Sequence, residues 1–236
     1  MKKKCLVIIP AYNEADNISS VIKNLAKSKI DVDYVVVNDC SIDNTVEVLE
    51  SEKANYLKLP VNLGIGGAVQ AGYIYAKENN YDIAIQIDGD GQHDPEYLDR
   101  LIEPILEGEA DCVIGSRFVT NEGFRSSALR RMGINWLSFI IKLLCGVTVK
   151  DVTSGFRAVN RELIELFSRE YAQDYPEPEA IISCAIHNSI IKEVPVVMHE
   201  RQGGVSSINS FKSIYYMIKV TISLILCRFS TRKGEK

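Results

Sequence analysis

Residues Asp88-Gly89-Asp90-Gly91-Gln92 place two carboxylates one residue apart, with glycine between and after them. They end an apolar, β-rich run over residues 81–87, which reads as a buried strand. Adjacent oxygen ligands on flexible backbone at a strand end suit a hard divalent cation, and such a cation can hold a diphosphate. Asp-Gly is also a common hairpin dipeptide, so both readings stand on this segment alone.

Other candidates lie at other predicted strand ends. Asp39, in Asn38-Asp39-Cys40-Ser41, either accepts a hydrogen bond from a nucleotide base or caps a helix, a role open equally to Ser41 and Asp43. Tyr12 can stack on the same base and Glu14 can hydrogen-bond it; Glu14 in a first helical turn also favours the helix dipole. Gly64-Ile65-Gly66-Gly67 lacks the lysine and the spacing of a phosphate loop and reads better as a site of close helix packing. Arg117, Arg131 and Arg157 are candidate phosphate clamps, since the guanidinium fork matches phosphate oxygens, although each is singly a common surface residue. Arg201 sits in the glycine- and serine-rich stretch 200–207, a pattern suited to a lid carrying a cation over a diphosphate. Glu177 and Glu179 precede a helix, as general bases or as acids favoured by its dipole. His93, His187 and His199 form no cluster in the sequence, and His93 alone lies near the acidic turn.

These residues need a scaffold that brings strand ends together. Residues 5–9, 34–37, 56–59, 81–87 and 111–115 read as strands, with helices over 18–25, 45–49 and 66–77 between them and Asn13 as the cap of the first. The alternation predicts an α/β fold with a mostly parallel sheet and helices on both faces. In such sheets ligands bind beyond the carboxyl ends of the strands, where the residues around 10–14, 38–39 and 88–92 all fall. Later the pattern is mixed: helices over 126–144 and 179–189, strands over 156–159 and 194–198. The boundaries drawn are a catalytic unit over 1–205 and an amphipathic helix with a basic tail over 206–236.

The 236 residues carry a net charge of −4, which excludes nucleic-acid binding by bulk charge. That charge is uneven: residues 205–236 carry a net +5 and the preceding 204 a net −9. Over residues 211–229, Phe211, Ile214, Ile218, Ile222, Ile225 and Phe229 share one helical face at spacings of 3, 4, 4, 3 and 4. A span of roughly 20 apolar residues would cross a membrane, but Lys212 and Lys219 interrupt this one. A helix lying in a membrane interface fits better, and the basic tail after it points the same way; packing on its own domain is the alternative, and a membrane-protein partner's helix could take the place of lipid. The six scattered cysteines lack metal spacing and read as reduced, and no secretion signal is expected from the short apolar run after Met1-Lys2-Lys3-Lys4.

Taken in order, IIPAYNE, VNDCSIDNT, NLGIGGAVQAGY, QIDGDGQHDPEYL, GSRF, DVTSGFRA and ERQGGVSSI resemble glycosyltransferase family 2, in its polyprenyl-phosphate sugar transferase branch related to dolichyl-phosphate mannose synthase. The resemblance implies an A-type, Rossmann-like glycosyltransferase fold, a nucleotide-sugar donor, Mg2+ or Mn2+, and inversion at the anomeric carbon. It implies that Pro10, Tyr12, Glu14, Val37, Asp39, Asp88 and Gly89 hold the donor. By the same resemblance Asp88, Asp90 and Gln92 meet the metal, Arg201 closes over the diphosphate, and Ser116, Arg117 and Arg131 face the acceptor. Two departures leave the sugar and acceptor open: Ser206 is followed by Ser207 rather than lysine, and the segment around Glu177 and Glu179 lacks the aromatic residues of the mannose synthases.

The expected reaction is transfer of a sugar to a membrane polyprenyl phosphate for surface-glycan synthesis, at the cytoplasmic face of a membrane. Asp90 and Arg201 would be catalytic. Transfer to a hydroxyl of a lipid-linked glycan is the alternative and requires Glu179 or Glu177 as base. A non-catalytic nucleotide-sugar-binding subunit of a membrane complex is the rival from another class. A sugar nucleotidyltransferase should carry a glycine-rich basic loop after its first strand, where this chain has Pro10-Ala11-Tyr12-Asn13-Glu14.

Overall fold

A computed structural model describes residues 3–119, 128–199 and 210–230. Its strands are β1 (Cys5–Ala11), β2 (Asp33–Asn38), β3 (Tyr56–Lys58), β4 (Ile83–Gln86), β5 (Cys112–Ser116), β6 (Arg157–Asn160) and β7 (Ile191–Pro195). They form one sheet in the order β3-β2-β1-β4-β6-β5-β7. All pairings are parallel except those of β6, which runs antiparallel to both β4 and β5. The helices are α1 (Ile18–Leu25), α2 (Thr45–Ser51), α3 (Gly64–Glu78), α4 (Leu98–Leu106), α5 (Ala128–Cys145), α6 (Arg161–Arg169), α7 (Pro176–Ile186) and α8 (Ser210–Ser230).

Strand β1 is buried along its whole length because both faces of the sheet are covered, so it reads as a continuous apolar run rather than an alternating one. Leu6 and Ile8 face the core formed with α3, α5, α6 and α7, while Val7 and Ile9 face the core formed with α1 and α4. The observed sheet thus matches the expected mostly parallel sheet with helices on both faces.

Several boundaries differ from the sequence reading. The cap of α1 is Asn17; Asn13 takes a positive φ of 56° and braces a loop, its Oδ1 accepting from the Ile42 amide at 2.9 Å. β7 begins at residue 191 rather than 194, because residues 191–195 are the ones in register with β5. Met198 instead forms an isolated antiparallel bridge with His93. Helices α4 and α6 were not anticipated, though Leu98, Leu101, Ile102 and Ile105 of α4 bury one clean stripe.

Gly66 of α3 confirms the packing reading of the glycine run. A Cβ there would stand 2.1 Å from the Ala172 carbonyl oxygen and 2.5 Å from Gln173 Cα, both backbone atoms that cannot turn away. Gly66→Ala is therefore expected to destabilise the fold by about 3 kcal/mol, lowering Tm by roughly 6–12 °C. Thermal denaturation checks this, and an unchanged Tm would show that α3 can slide.

Helix α8 packs on α5 and α7. Val220 and Leu224 are fully buried in the main core, Trp136 Nε1 donates to Thr221 Oγ1 at 3.1 Å, and Arg228 Nε donates to the Leu144 carbonyl at 3.1 Å. The stripe expected to meet lipid or a partner is turned outward: Ile218, Ile222, Ile225 and Phe229 are exposed. The helix accordingly joins the core by one side and leaves the other uncovered, rather than standing apart from the 1–205 unit. Among the described residues no helix is long and apolar enough to cross a membrane.

Candidate active site

The site is assembled at the carboxyl edge of the sheet from the ends of β1, β2 and β4, with α7 and residues 151–155 beside them. Beyond β1, Tyr12 is 46% exposed while Glu14 is buried. Glu14 is held by its amide, which donates to Thr45 Oγ1 at 2.9 Å, and by Asn17 Nδ2, which donates to its Oε2 at 2.7 Å. Tyr12 thus presents its ring outward from an anchored loop. Pro10 and Val37 are buried strand residues aligned with each other across β1 and β2.

Asp39 is buried, and its carboxylate accepts from the Leu63 and Gly64 amides at 2.7 and 2.8 Å. It therefore meets orphan donors at the start of α3, rather than the helix next in sequence. Asp43 serves that nearer helix, accepting from the Thr45 amide at 3.0 Å. Hydrogen bonds from Thr45 and Ala15 hold its carboxyl below the usual range against the opposing effect of burial. Each oxygen of Asp39 retains a second lone pair, so capping leaves room for a ligand donor.

The acidic turn follows β4 and is not a hairpin. A Cβ on Gly89 would lie 2.9 Å from the Pro10 carbonyl oxygen and 3.6 Å from Glu14 Cγ, so the turn rests against the β1 loop. Asp88 and Asp90 are both partly exposed. Gln86 Nε2 donates to Asp88 Oδ1 at 3.3 Å, and the Gln92 amide donates to Asp90 Oδ1 at 3.1 Å. Gln92 Nε2 donates to the His199 carbonyl at 3.4 Å, which leaves the Gln92 side-chain oxygen as its remaining acceptor.

His93 had no assigned role, yet it is the keystone of this turn. It is buried, stacked on Phe156 with ring centroids 4.8 Å apart, and its Nδ1 accepts from the Asp88 amide at 3.0 Å. With Nδ1 accepting, the proton of the neutral ring sits on Nε2, 3.7 Å from Asp88 Oδ2. His93 positions Asp88. Its only sequence signal was proximity to the turn.

The arginines divide. Arg117 forms a forked pair with Asp151, Nε to Oδ2 at 2.7 Å and Nη2 to Oδ1 at 2.6 Å, and Asp151 is fully buried. Its guanidinium therefore serves an internal pair first, which departs from the expected phosphate clamp. Arg131 stands at the surface, its guanidinium 5.4 Å from the Phe118 ring, the same distance as that of Arg117. Ser116 is buried, and its Oγ accepts from the Phe118 amide at 3.4 Å. Arg157 is corrected outright: it is fully buried, with Nη1 donating to the Glu177 carbonyl at 3.1 Å and Nη2 to the Ser154 carbonyl at 2.7 Å. It pins α7 to residues 151–155, where a Cβ on Gly155 would lie 3.0 Å from Asp88 Oδ1. Arg201 lies outside the described residues.

The two candidate bases separate. Glu179 faces α8, with Ser223 Oγ donating to its Oε1 at 2.6 Å, and burial raises its pKa against that hydrogen bond. Glu177 faces the site. Burial is the main cause of its raised pKa; Arg157 opposes the shift and the charge of Asp88 adds to it. Of the two bases the sequence offered, Glu177 is the one whose carboxyl feels the charge of Asp88.

A doubly wound α/β domain with its polar groups gathered at the carboxyl edge is the frame of proteins that handle nucleotides. The chain belongs to glycosyl transferase family 2, whose model matches residues 6–167, and it is a glycosyltransferase. It is 31% identical over 248 residues to the UDP-N-acetylglucosamine–dolichyl-phosphate N-acetylglucosaminyltransferase of Methanococcus voltae, covering 95% of this chain and 98% of that protein. It is 30% identical over 242 residues to the polyprenol monophosphomannose synthase of Mycolicibacterium smegmatis, covering 98% and 91%. Its fold matches that of glucosyl-3-phosphoglycerate synthase from Mycobacterium tuberculosis with a TM-score of 0.74 at 23% identity, covering 96% of this chain and 80% of that one.

Proposed function

We propose that the protein transfers a sugar, with inversion, from a nucleotide-sugar donor to a polyprenyl phosphate at a membrane surface, on an A-type glycosyltransferase fold. The observation that carries this reading is the acidic turn, Asp88 and Asp90 at the end of β4, resting against the Tyr12–Glu14 loop. Two relatives aligned over nearly their whole length support it, one named for a dolichyl-phosphate acceptor and one for a polyprenol monophosphomannose product.

The residues of the turn fit Mg2+ or Mn2+. The donor set is all oxygen, from Asp88, Asp90 and the Gln92 side-chain carbonyl, and the His93 Nδ1 is engaged by the Asp88 amide. Among the described residues no group of three or more His, Cys, Asp or Glu gathers as a self-sufficient metal site. Two carboxylates alone are a partial set of the kind that Mg2+ completes with substrate phosphates, so metal and donor should bind together. A bound cation would supply electrostatic stabilisation to the departing diphosphate. Tyr12 stacks on the base, Asp39 and Glu14 accept hydrogen bonds from the nucleoside, and Arg131 attracts the acceptor phosphate. An anionic phosphate oxygen attacks the anomeric carbon without a base, and Arg201 covers the diphosphate.

A second reading has its own observation. Glu177 stands close enough to Asp88 to feel its charge and carries a raised pKa, the setting of a general base for a hydroxyl acceptor. The matched fold includes an enzyme named for a phosphoglycerate acceptor. Incubating the protein and Mn2+ with labelled nucleotide sugars, and offering short-chain polyprenyl phosphate or a lipid-linked saccharide, separates the two. Label on the polyprenyl phosphate, retained within about tenfold in Glu177→Gln, is the expected result. Label confined to hydroxyl acceptors, with a loss of about 10²–10⁴-fold in Glu177→Gln but not Glu179→Gln, would replace it with the second reading.

A further inference from the structure

Strand β4 is apolar except at its last residue. Gln86 is 1% exposed, and an amide buried there is costly unless both of its ends are matched. One end is matched: Gln86 Nε2 donates to Asp88 Oδ1 at 3.3 Å. The Gly155 backbone roofs that contact closely. A Cβ on Gly155 would stand 2.9 Å from Gln86 Nε2 and 3.0 and 3.2 Å from the two Asp88 carboxylate oxygens. The other end, Gln86 Oε1, is buried and has no hydrogen-bond partner among the described residues.

A matching donor stands on the neighbouring strand. Gln86 and Arg157 are directly opposed in the antiparallel β4–β6 pair, and so are Ala84 and Val159. Ala84 and Val159 both lie in the core formed with α3, α5, α6 and α7. Gln86 and Arg157 are two residues away from them along each strand, so they project to the same side, with Cβ atoms about 5 Å apart. Arg157 donates from Nη1 to the Glu177 carbonyl and from Nη2 to the Ser154 carbonyl. Its buried Nε has no partner among the described residues. A free donor and a free acceptor thus occupy opposed positions, in an interior where nearly all buried polar atoms are paired. Arg157 can only donate and the ionised Asp88 can only accept, which fixes the sense of the amide between them. The buried hydroxyls of Tyr73 and Tyr171, also without partners among the described residues, lie close enough to interact with the Arg157 charge, and they offer a bridging water further bonds.

We infer that Gln86 is a positioning residue: its amide oxygen takes the Arg157 Nε hydrogen across no more than one buried water, and its NH2 group thereby holds the Asp88 carboxylate for the cation and donor. Arg157 then sets two sides of the site at once, the start of α7 through the Glu177 carbonyl and Asp88 through Gln86. The inference rests on the cation proposed at the acidic turn.

Gln86→Met keeps the length of the side chain and removes both polar ends. In protein free of nucleotide and metal it should lower Tm by about 2–6 °C, because it strips the acceptor from Arg157 Nε. An amide oxygen that truly lacked a partner would make the same substitution neutral or stabilising. The second readout is one that a merely structural role would not move. Titration calorimetry with uridine and guanosine diphosphates, using the one that native protein binds more tightly, gives the gain in affinity on adding Mn2+. Gln86→Met should cut that gain about tenfold and leave the metal-free affinity unchanged, as expected of a residue that orients a ligand from behind. In an Asp88→Asn background the same substitution should cost less than about twofold more, because it acts through the lost carboxylate. An unchanged or raised Tm, a Mn2+ gain within about twofold of native, or an equal loss in the Asp88→Asn background would overturn the inference. Native protein with no Mn2+ gain would remove the proposed cation and this inference together. A native gain that survives Gln86→Met removes the inference alone.

Discussion

Asp90→Asn is expected to lower kcat for sugar transfer by about two to three orders of magnitude, with Tm unchanged within about 1 °C. The substitution separates charge from shape. Asn keeps the Oδ1 atom that accepts from the Gln92 amide, so the turn keeps its internal bond. Asp90 is partly exposed on a turn, which limits any packing cost. What it removes is one of two carboxylates where the donor diphosphate and its cation are proposed to sit. A second readout excludes a merely structural effect. In the native protein the affinity for the donor's nucleoside diphosphate should rise on adding Mn2+, and in Asp90→Asn that increment should disappear while the metal-independent affinity stays. Titration calorimetry with and without Mn2+ checks both. Transfer preserved within tenfold in Asp90→Asn would remove Asp90 from the reaction and with it the reading of the whole turn.

The acidic turn was legible because its composition is extreme and it ends a strand buried on both faces. Central parallel strands such as β1 and β4 leave continuous apolar runs, a signal that survives without knowledge of partners. Strand β6 was locatable for the same reason, but its direction was not. Antiparallel pairing with both β4 and β5 is set by contacts with distant residues, which leave no local trace. Glu177 and Glu179 show the limit most sharply. Two residues apart on a helix they point about 200° apart, so at most one can face the site. Which one depends on how α7 rolls against the sheet, and that is fixed by Arg157. Asp39 shows the converse: an N-capping role was foreseen, but the helix capped is α3, beyond β3 in sequence, because strand order rather than chain order decides which amides it meets. His93 lacked any readable signal beyond its neighbourhood, since its work is done through a backbone amide.

Arg157→Met should destabilise the fold by roughly 3 kcal/mol or more, a loss of about 6–12 °C or more in Tm. Met fills similar length without charge, but it strips donors from the Glu177 and Ser154 carbonyls, and Arg157 is fully buried where water cannot replace them. It also removes the cation that opposes the burial of the Glu177 carboxyl. The sign of the pH dependence follows. Glu177 already has a folded pKa above its unfolded value, so the fold is favoured by protonation, and stability from this group is lost as pH rises through the folded pKa. Without Arg157 that folded pKa rises further, and the loss at neutral pH grows. The Tm deficit of Arg157→Met relative to the native protein should therefore shrink on acidification through that raised pKa. The part due to Glu177 should vanish below its ordinary carboxyl range. The double variant Glu177→Gln/Arg157→Met should show a smaller deficit at neutral pH, with no such recovery on acidification. A deficit independent of pH in the single variant would mean that Arg157 acts through the two carbonyls alone. In that case Glu177 would not be tuned by its neighbour, and the second reading of the acceptor would lose its support.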